Sequence, residues 1–254
     1  MIKRELYLDT RCLAWMSGLL EGEGTFVKGS PARPRRPIMA LGMSDEDVVR
    51  RVCDLWGTRL WTIRLKNPRY KPVFRTELVG GSAVAMMELL RPHMSTRRQE
   101  QIDASVATYQ PLRSIKHKRF YVSSNGAEEF ERHWLAGLLE GEASFGLNSA
   151  AKYSVSPIVE LNTVDHDVIL RAQRIYHERY GVSVKVHIRP PRQDGYQPQF
   201  HLAIFGPAAH AVIADIEPLL GQRRRERIAE LLGPSGQIPL LHEARACYDV
   251  RWAA

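Results

Sequence analysis

Apolar and polar positions along this chain follow two rhythms, and the same succession of rhythms occurs twice. The run from Arg11 is apolar and helix-compatible, with the N-cap types Asp9 and Thr10 before it and Gly22 and Gly24 ending it. Thr25 to Lys28 and Ile38 to Met43 read as strands around a loop. Asp45, Glu46 and Asp47 put acids in the first turn of a helix that runs through Val48 to Trp56 and stops at Gly57. Arg59 to Lys66 and Val73 to Val79 alternate with period two around the turn Asn67-Pro68-Arg69-Tyr70, which predicts a hairpin. Gly80-Gly81-Ser82 opens a helix to Leu90, and Ser95 or Thr96 caps another, from Arg97 to about Tyr109.

Residues 111–125 (PLRSIKHKRFYVSSN) are basic and polar without helical period, which predicts a linker. Asn125-Gly126-Ala127-Glu128 resembles a capping box. The first pattern then returns. Asp165-His166-Asp167-Val168-Ile169 answers Asp45-Glu46-Asp47-Val48-Val49, and Val182 to Arg189 with Gln199 to Phe205 answers the first hairpin. Gly206-Pro207-Ala208 answers Gly80-Gly81-Ser82, and Gln222 to Ile228 answers Thr96 to Ile102. The order is helix, two strands, helix, two strands, two helices, given twice. A duplication of this size implies pseudo-twofold symmetry. The expected organisation is an N-terminal half over 1–110, a basic linker over 111–124 and a C-terminal half over 125–254, with an extra helix from Gln237.

Each half begins with the same motif, W-x-x-G-L-L-E-G-E-x-[S/T]-F, from Trp15 to Phe26 and from Trp134 to Phe145, at an offset of 142 − 23 = 119. Gly18 and Gly22 are four residues apart, as are Gly137 and Gly141, so each pair lies on one helical stripe. A stripe without side chains lets two helix backbones approach closely. That contact offsets the roughly 1 kcal/mol that glycine costs a helix interior relative to alanine. Glu23 and Glu142 close these helices. A carboxylate there faces the negative end of the helix dipole. If the two helices pair in parallel, their acids and free carbonyls converge and require a cation. Oxygen donors suit a hard ion such as Mg²⁺, which completes its shell with water and phosphate. Such ions support phosphodiester hydrolysis. Structural helices with exposed acids would account for one copy; two copies with the acid in register favour a site.

Composition sharpens the partner. The chain of 254 residues carries a net charge of +8, which fits a polyanion but also simple solubility. Cys12, Cys53 and Cys247 are few, odd in number and far apart, which argues against a disulfide framework or a cysteine-rich zinc site. His166, His177, His210 and His242 show no metal-ligand spacing with cysteine. No apolar run approaches membrane-spanning length, and Met1 to Glu5 returns to charge too soon for a signal peptide. The expected setting is intracellular: the cytoplasm or nucleoid of a prokaryote, or an organelle.

Met16-Ser17-Gly18-Leu19-Leu20-Glu21-Gly22-Glu23-Gly24 and Leu135-Ala136-Gly137-Leu138-Leu139-Glu140-Gly141-Glu142-Ala143 resemble the two motifs of a double-motif LAGLIDADG homing endonuclease. The resemblance extends over most of the chain. It implies an α/β (α+β) monomer of two pseudo-symmetric αββαββα halves. Their antiparallel sheets would form a saddle on DNA, with the motif helices paired at the interface. It implies that Glu23 and Glu142 bind divalent metal, assisted by the carbonyls of Gly22 and Gly141. The ion would be Mg²⁺ or Mn²⁺, while Ca²⁺ would fill the site without supporting cleavage. The reaction would cross the minor groove of a long, asymmetric double-stranded site.

Three departures bear on that resemblance. The acids are glutamates where the name motif has aspartate. Ala143 stands where the first copy has Gly24; if that position needs a left-handed backbone, alanine is strained by about 1 kcal/mol. Nicking rather than double-strand cleavage would then result. The family's active-site lysine corresponds to Arg97 and Arg223, or, with the register moved by one, to Arg98 and Arg224. Arginine stabilises phosphate but cannot act as a lysine base. An ordinary basic helix start accounts for these residues equally well.

If aromatic and branched residues face the core, the DNA-facing sides of the hairpins follow. Trp61, Ile63, Leu65, Phe74, Thr76 and Leu78 would point inward, and Thr62, Arg64, Lys66, Arg75 and Glu77 outward. In the second hairpin Val184, Val186, Ile188, Phe200, Leu202 and Ile204 would point inward, and Lys185, His187, Arg189, Gln199 and His201 outward. Thr25, Val27, Ser144, Gly146 and Asn148 extend these faces; Arg33, Arg35, Arg36, Arg69, Lys71, Lys152, Arg192 and Gln197 lie in turns. Such groups bond base edges and phosphates, and a two-stranded ribbon fits the major groove. The rival functions are an intron-RNA-binding maturase on the same scaffold and a DNA-binding regulator without catalysis. Retention of both acids favours the endonuclease.

Overall fold

The computed structural model describes residues 5–30, 32, 36–64, 66–67, 69–111, 117–151, 154–191 and 195–233. Arg33, Arg35, Leu65, Lys152, Arg192 and the helix expected after Gln237 therefore lie outside the described residues. The chain divides into two compact units, 1–141 and 142–254.

The first unit opens with strand β1 (Glu5–Asp9) and the motif helix α1 (Thr10–Glu23). Asp9 caps α1, its carboxylate accepting from the Cys12 N–H at 2.7 Å. There follow β2 (Gly24–Val27), β3 (Ile38–Met43), α2 (Glu46–Trp56), β4 (Trp61–Ile63), β5 (Val73–Val79), α3 (Gly81–Leu90) and α4 (Thr96–Val106). The sheet has the order β2-β3-β5-β4, and every pair in it is antiparallel. Then come β6 (Arg119–Ser123) and the second motif helix, α5 (Phe130–Glu142), which ends at the boundary between the units.

The second unit continues with β7 (Ala143–Ala151), β8 (Ser154–Thr163), α6 (His166–Tyr180), β9 (His187–Arg189), β10 (Gln199–Phe205), α7 (Gly206–Ile216) and α8 (Gln222–Leu232). Its sheet has the order β7-β8-β10-β9, the same connectivity as the first. The mixed α/β architecture with antiparallel sheets that the resemblance implies is thus present in both units. The matching helices α2 and α6 stop the same way, at Gly57 and Gly181 in the left-handed region, with φ of 59° and 66°. Glycine takes that conformation without a Cβ penalty.

Two features differ from the sequence pattern. Within the basic connection, Arg119–Ser123 forms a strand pairing in parallel with β1, Glu5 against Arg119 through Asp9 against Ser123. Leu6 and Leu8 turn inward and are buried, while Tyr7 and Tyr121 stack outside with centroids 5.2 Å apart. The capping box expected at Asn125 is instead a turn with Gly126 at φ 78° and a short 3₁₀ segment, Ala127–Glu129, before α5 begins at Phe130.

Both motif helices are buried on nearly all sides. In α1 the residues from Leu13 to Glu21 are buried, and in α5 those from His133 to Glu140. Trp15, Trp134, Trp56 and Tyr176 are among the largest fully buried side chains.

Candidate functional site

The glycines of the motif act at helix-to-helix contact. A Cβ on Gly18 would run into the Trp134 carbonyl oxygen and come within 2.7 Å of the Leu138 nitrogen. A Cβ on Gly137 would run into the Trp15 carbonyl oxygen and come within 2.8 Å of the Leu19 nitrogen. The contacts are reciprocal, as a twofold relation between α1 and α5 requires. Gly141 has another task, because a Cβ there would sit 3.2 Å from Cγ of Glu23. The missing side chain makes room for the glutamate that closes α1.

The end of α1 is fixed by a group the motif alone does not reveal. Glu21, 3% exposed, accepts from the Ser95 N–H and from the Ser95 hydroxyl, the latter at 2.8 Å. Ser95 in turn caps α4, its Oγ accepting from the Arg98 N–H at 3.3 Å. The buried Arg98 guanidinium donates to the Glu21 carbonyl from Nε at 2.9 Å and from Nη2 at 2.6 Å, and Nη2 also reaches the Gly22 carbonyl at 3.0 Å. A cation on these carbonyls compensates the negative end of the helix dipole. Glu23, next in sequence, is half-buried.

In the second unit Arg224 occupies the corresponding place. Its Nη1 donates to the Ala143 carbonyl at 2.5 Å, and its guanidinium lies 5.8 Å from the Phe145 ring centre, as Arg98 lies 5.6 Å from that of Phe26. Arg98 and Arg224 thus bond carbonyls at the motif ends, one position beyond Arg97 and Arg223. Arg97 is half-buried on the same helix start, and Arg223 is exposed. The Ser95 cap type was legible in the sequence; the burial of Glu21 was not.

The left-handed backbone considered for Gly24 is absent. Gly24 has φ −71° and ψ 140°, and among the described residues no non-glycine has positive φ. Ala143 thus carries no handedness strain. Glycine at 24 is explained by crowding, since its Cβ would collide with the Leu20 carbonyl oxygen and lie 3.0 Å from Leu20 Cβ.

Arg51 of α2 places its guanidinium 3.8 Å from the centre of the Trp15 ring. Burial pulls its pKa down, while the charges of Cys12, Glu140 and Asp9 oppose that shift. Burial, aided by Asp9, pushes the Cys12 thiol up to about 11, so it is no nucleophile at neutral pH.

The strand registers decide the outward faces, because residues paired across an antiparallel ladder share a face. In the first sheet Phe74, Thr76 and Leu78 line the inner side, Thr76 and Leu78 being buried, as the alternation predicts. Strand β4 is the reverse of the prediction. Thr62 pairs with Phe74 and so lies on the inner side, whereas Trp61 pairs with Arg75 and Ile63 with Val73. Trp61 and Ile63 are 57% and 41% exposed. Three residues at the sheet edge follow the register of their partner, not their hydrophobicity. In the second sheet Leu202 and Ile204 are buried, and His187 and Arg189 pair with His201 and Gln199 on the opposite side; His201, expected to face outward to DNA, is instead buried, covered where its Nε2 meets Glu160. Ile188 pairs with Phe200 on the inner side but is 66% exposed, beyond the core's reach.

Strand β8 adds Glu160 and Asn162 to that outer face, neither of them anticipated. Glu160 accepts from the Ser144 hydroxyl at 3.3 Å and meets His201 Nε2 at 3.2 Å; Arg189 donates to Asn162 at 3.3 Å. Arg75 is ion-paired with Glu77 at 3.1 Å in the first sheet. Arg36, Arg64, Lys66, Arg69, Lys71, Lys185 and Gln197 are exposed, and Asn148 is half-buried.

Among the solved structures similar to this chain, two match nearly its whole length with a TM-score of 0.53 each. The LAGLIDADG homing endonuclease I-GzeII in complex with its DNA target is 11% identical and covers 94% of this chain and 96% of its own. The LAGLIDADG meganuclease I-AabMI bound to uncleaved DNA is 12% identical and covers 92% and 96%. The chain has the LAGLIDADG homing endonuclease fold. No protein-family model matches it, and no curated protein does.

On this LAGLIDADG fold the described residues contain no cluster of three or more His, Cys, Asp or Glu side chains that could hold a metal ion. The motif ends offer one carboxylate each, Glu23 and Glu142. Each end by itself offers only oxygen donors, which fits a hard cation that takes few protein ligands and fills its shell with water and phosphate. Among the described residues no helix is long and apolar enough to cross a membrane.

Proposed function

We propose that this chain is a site-specific DNA endonuclease that hydrolyses phosphodiester bonds of a long double-stranded target with a divalent metal ion, Mg²⁺ or Mn²⁺. One observation carries the proposal: both motif helices end in a glutamate, and an arginine in the first turn of α4 or α8 donates to the carbonyl of the residue next to it. Arg98 donates to the Gly22 carbonyl beside Glu23, and Arg224 to the Ala143 carbonyl beside Glu142.

A bound divalent ion would supply an activated water and charge stabilisation at the leaving oxygen. Glu23 and Glu142 would hold it, with the carbonyls of Gly22 and Gly141. The Gly22 carbonyl already accepts from Arg98 at 3.0 Å and keeps a second lone pair. Arg98 and Arg224 act as positioning residues that hold the helix ends. Arg97 and Arg223, one residue earlier on the same helix starts, contact phosphate as fixed cations. The two sheets would present their outer faces to the major groove, with Arg36, Arg64, Lys66, Arg69, Lys71, Lys185 and Gln197 on phosphates and base edges. The chain would act as a monomer, in an intracellular compartment.

The proposal is tested by incubating the protein and Mg²⁺ with a library of random DNA duplexes and sequencing the ends. Cleavage at one sequence family is expected, with binding that weakens steeply as salt rises. A library with no duplex cut or nicked at any position would contradict it.

A further inference from the structure

The two hairpins occupy equivalent places in their units but carry opposite chemistry on their outer faces. Strands β5 and β10 are seven residues each and pair with the three-residue edge strands β4 and β9. Trp61 is opposite Arg75 and Ile63 opposite Val73; His187 is opposite His201 and Arg189 opposite Gln199. At equivalent positions the first unit therefore has Trp61, Ile63 and Val73 where the second has His187, Arg189 and Gln199. Gly42, opposite Arg75 on β3, is exposed and adds no side chain beside Val73.

Trp61 and Ile63, 57% and 41% exposed on one face of the strand, form a contiguous apolar patch, and such a patch marks an interaction surface. The surroundings say what kind. Arg64, Lys66, Arg69 and Lys71 are exposed on the loop that leaves β4 directly after Ile63, and Arg75, ion-paired with Glu77, is opposite Trp61. An apolar patch bordered by cations fits a surface that is anionic at its rim and carries methyl groups at its centre. The major groove of an A·T-rich duplex has that form, with phosphates on either side and thymine C5-methyls on the floor.

Resting on the DNA-binding function proposed above, we infer that the Trp61–Ile63–Val73 patch reads thymine methyl groups, so that one half of the target is recognised through apolar contact. The equivalent His187, Arg189 and Gln199 read the other half through hydrogen bonds to base edges. The halves of the recognition site thus differ in chemistry as well as in sequence.

The test starts from duplexes selected by the full chain out of a random pool, without divalent metal. Selection is repeated with Trp61→Ala and with His187→Ala. Positions whose base preference Trp61→Ala relaxes should be thymine in the parent consensus. Replacing those thymines by deoxyuridine, which removes only the methyl, should weaken binding of the unaltered protein roughly fourfold per methyl. The same replacement should leave Trp61→Ala unaffected, and should be neutral at positions relaxed by His187→Ala. The uracil arm changes only the DNA and is independent of any folding defect in a variant. Specific binding that ignores uracil, or a Trp61→Ala consensus identical to the parent's, overturns this inference alone. So does a finding that Trp61→Ala abolishes self-association while leaving base preference intact. Absence of any sequence-specific duplex binding overturns the endonuclease proposal and this inference with it.

Discussion

The buried Glu21 carboxylate accepts both hydrogen bonds that Ser95 can direct at it, from its backbone N–H and from its hydroxyl at 2.8 Å. This ties the last turn of the first motif helix to the first turn of α4, and the same serine caps that helix. Ser95→Ala removes the hydroxyl from a buried carboxylate and from a helix cap together. It should lower the unfolding free energy by about 1–3 kcal/mol. Denaturant unfolding would check it; an unchanged midpoint would show that the backbone bond alone suffices.

Gly18 faces the backbone of Trp134 and Leu138, which cannot move aside as a flexible side chain can. Helix propensity alone predicts that Gly18→Ala stabilises by about 1 kcal/mol. Overpacking against backbone predicts destabilisation by about 1–3 kcal/mol or more. The second effect should win, at Gly18 and equally at Gly137. Gly42→Ala is the control, because its Cβ would lie 3.8 Å from its nearest neighbours. Thermal unfolding of the three variants reads the sign directly.

These two sites show what the sequence could and could not carry. The duplication, the helix caps and the contact glycines were legible because identity, spacing and residue type each encode them locally. The pairing of β1 with β6 was not, since Glu5 and Arg119 are far apart in the chain and neither strand alternates strongly enough to stand alone. The β4 faces are not encoded in its hydrophobicity, because the partner strand sets the register: Thr62 is held opposite Phe74. Glu21 and Glu23 look alike in sequence. Only the packing of α4 against the helix end separates the buried structural acid from the half-buried one beside it.

The Cys12 thiol, raised to about 11 by burial and by Asp9, stays protonated through the neutral range. Its alkylation at pH 8 should be much slower than that of the same cysteine in the unfolded chain, as peptide mapping would show. Because the folded value is above the unfolded one, the linked stability is complete below the ordinary thiol pKa. It is lost as pH rises through about 11. Rapid alkylation of Cys12 in the folded protein at pH 8 would contradict this.

The central claim is that Glu23 and Glu142 are the metal-binding acids of a nuclease. The direct measurement is strand-resolved cleavage of the selected duplex by Glu23→Gln, by Glu142→Gln and by the double variant, alongside equilibrium binding of the same duplex. The double variant should cut neither strand while binding within a few-fold of the parent, and each single variant should lose at least one strand's cleavage. Undiminished cleavage by the double variant, or loss of binding equal to the loss of cleavage, would contradict the claim and leave these acids a structural role.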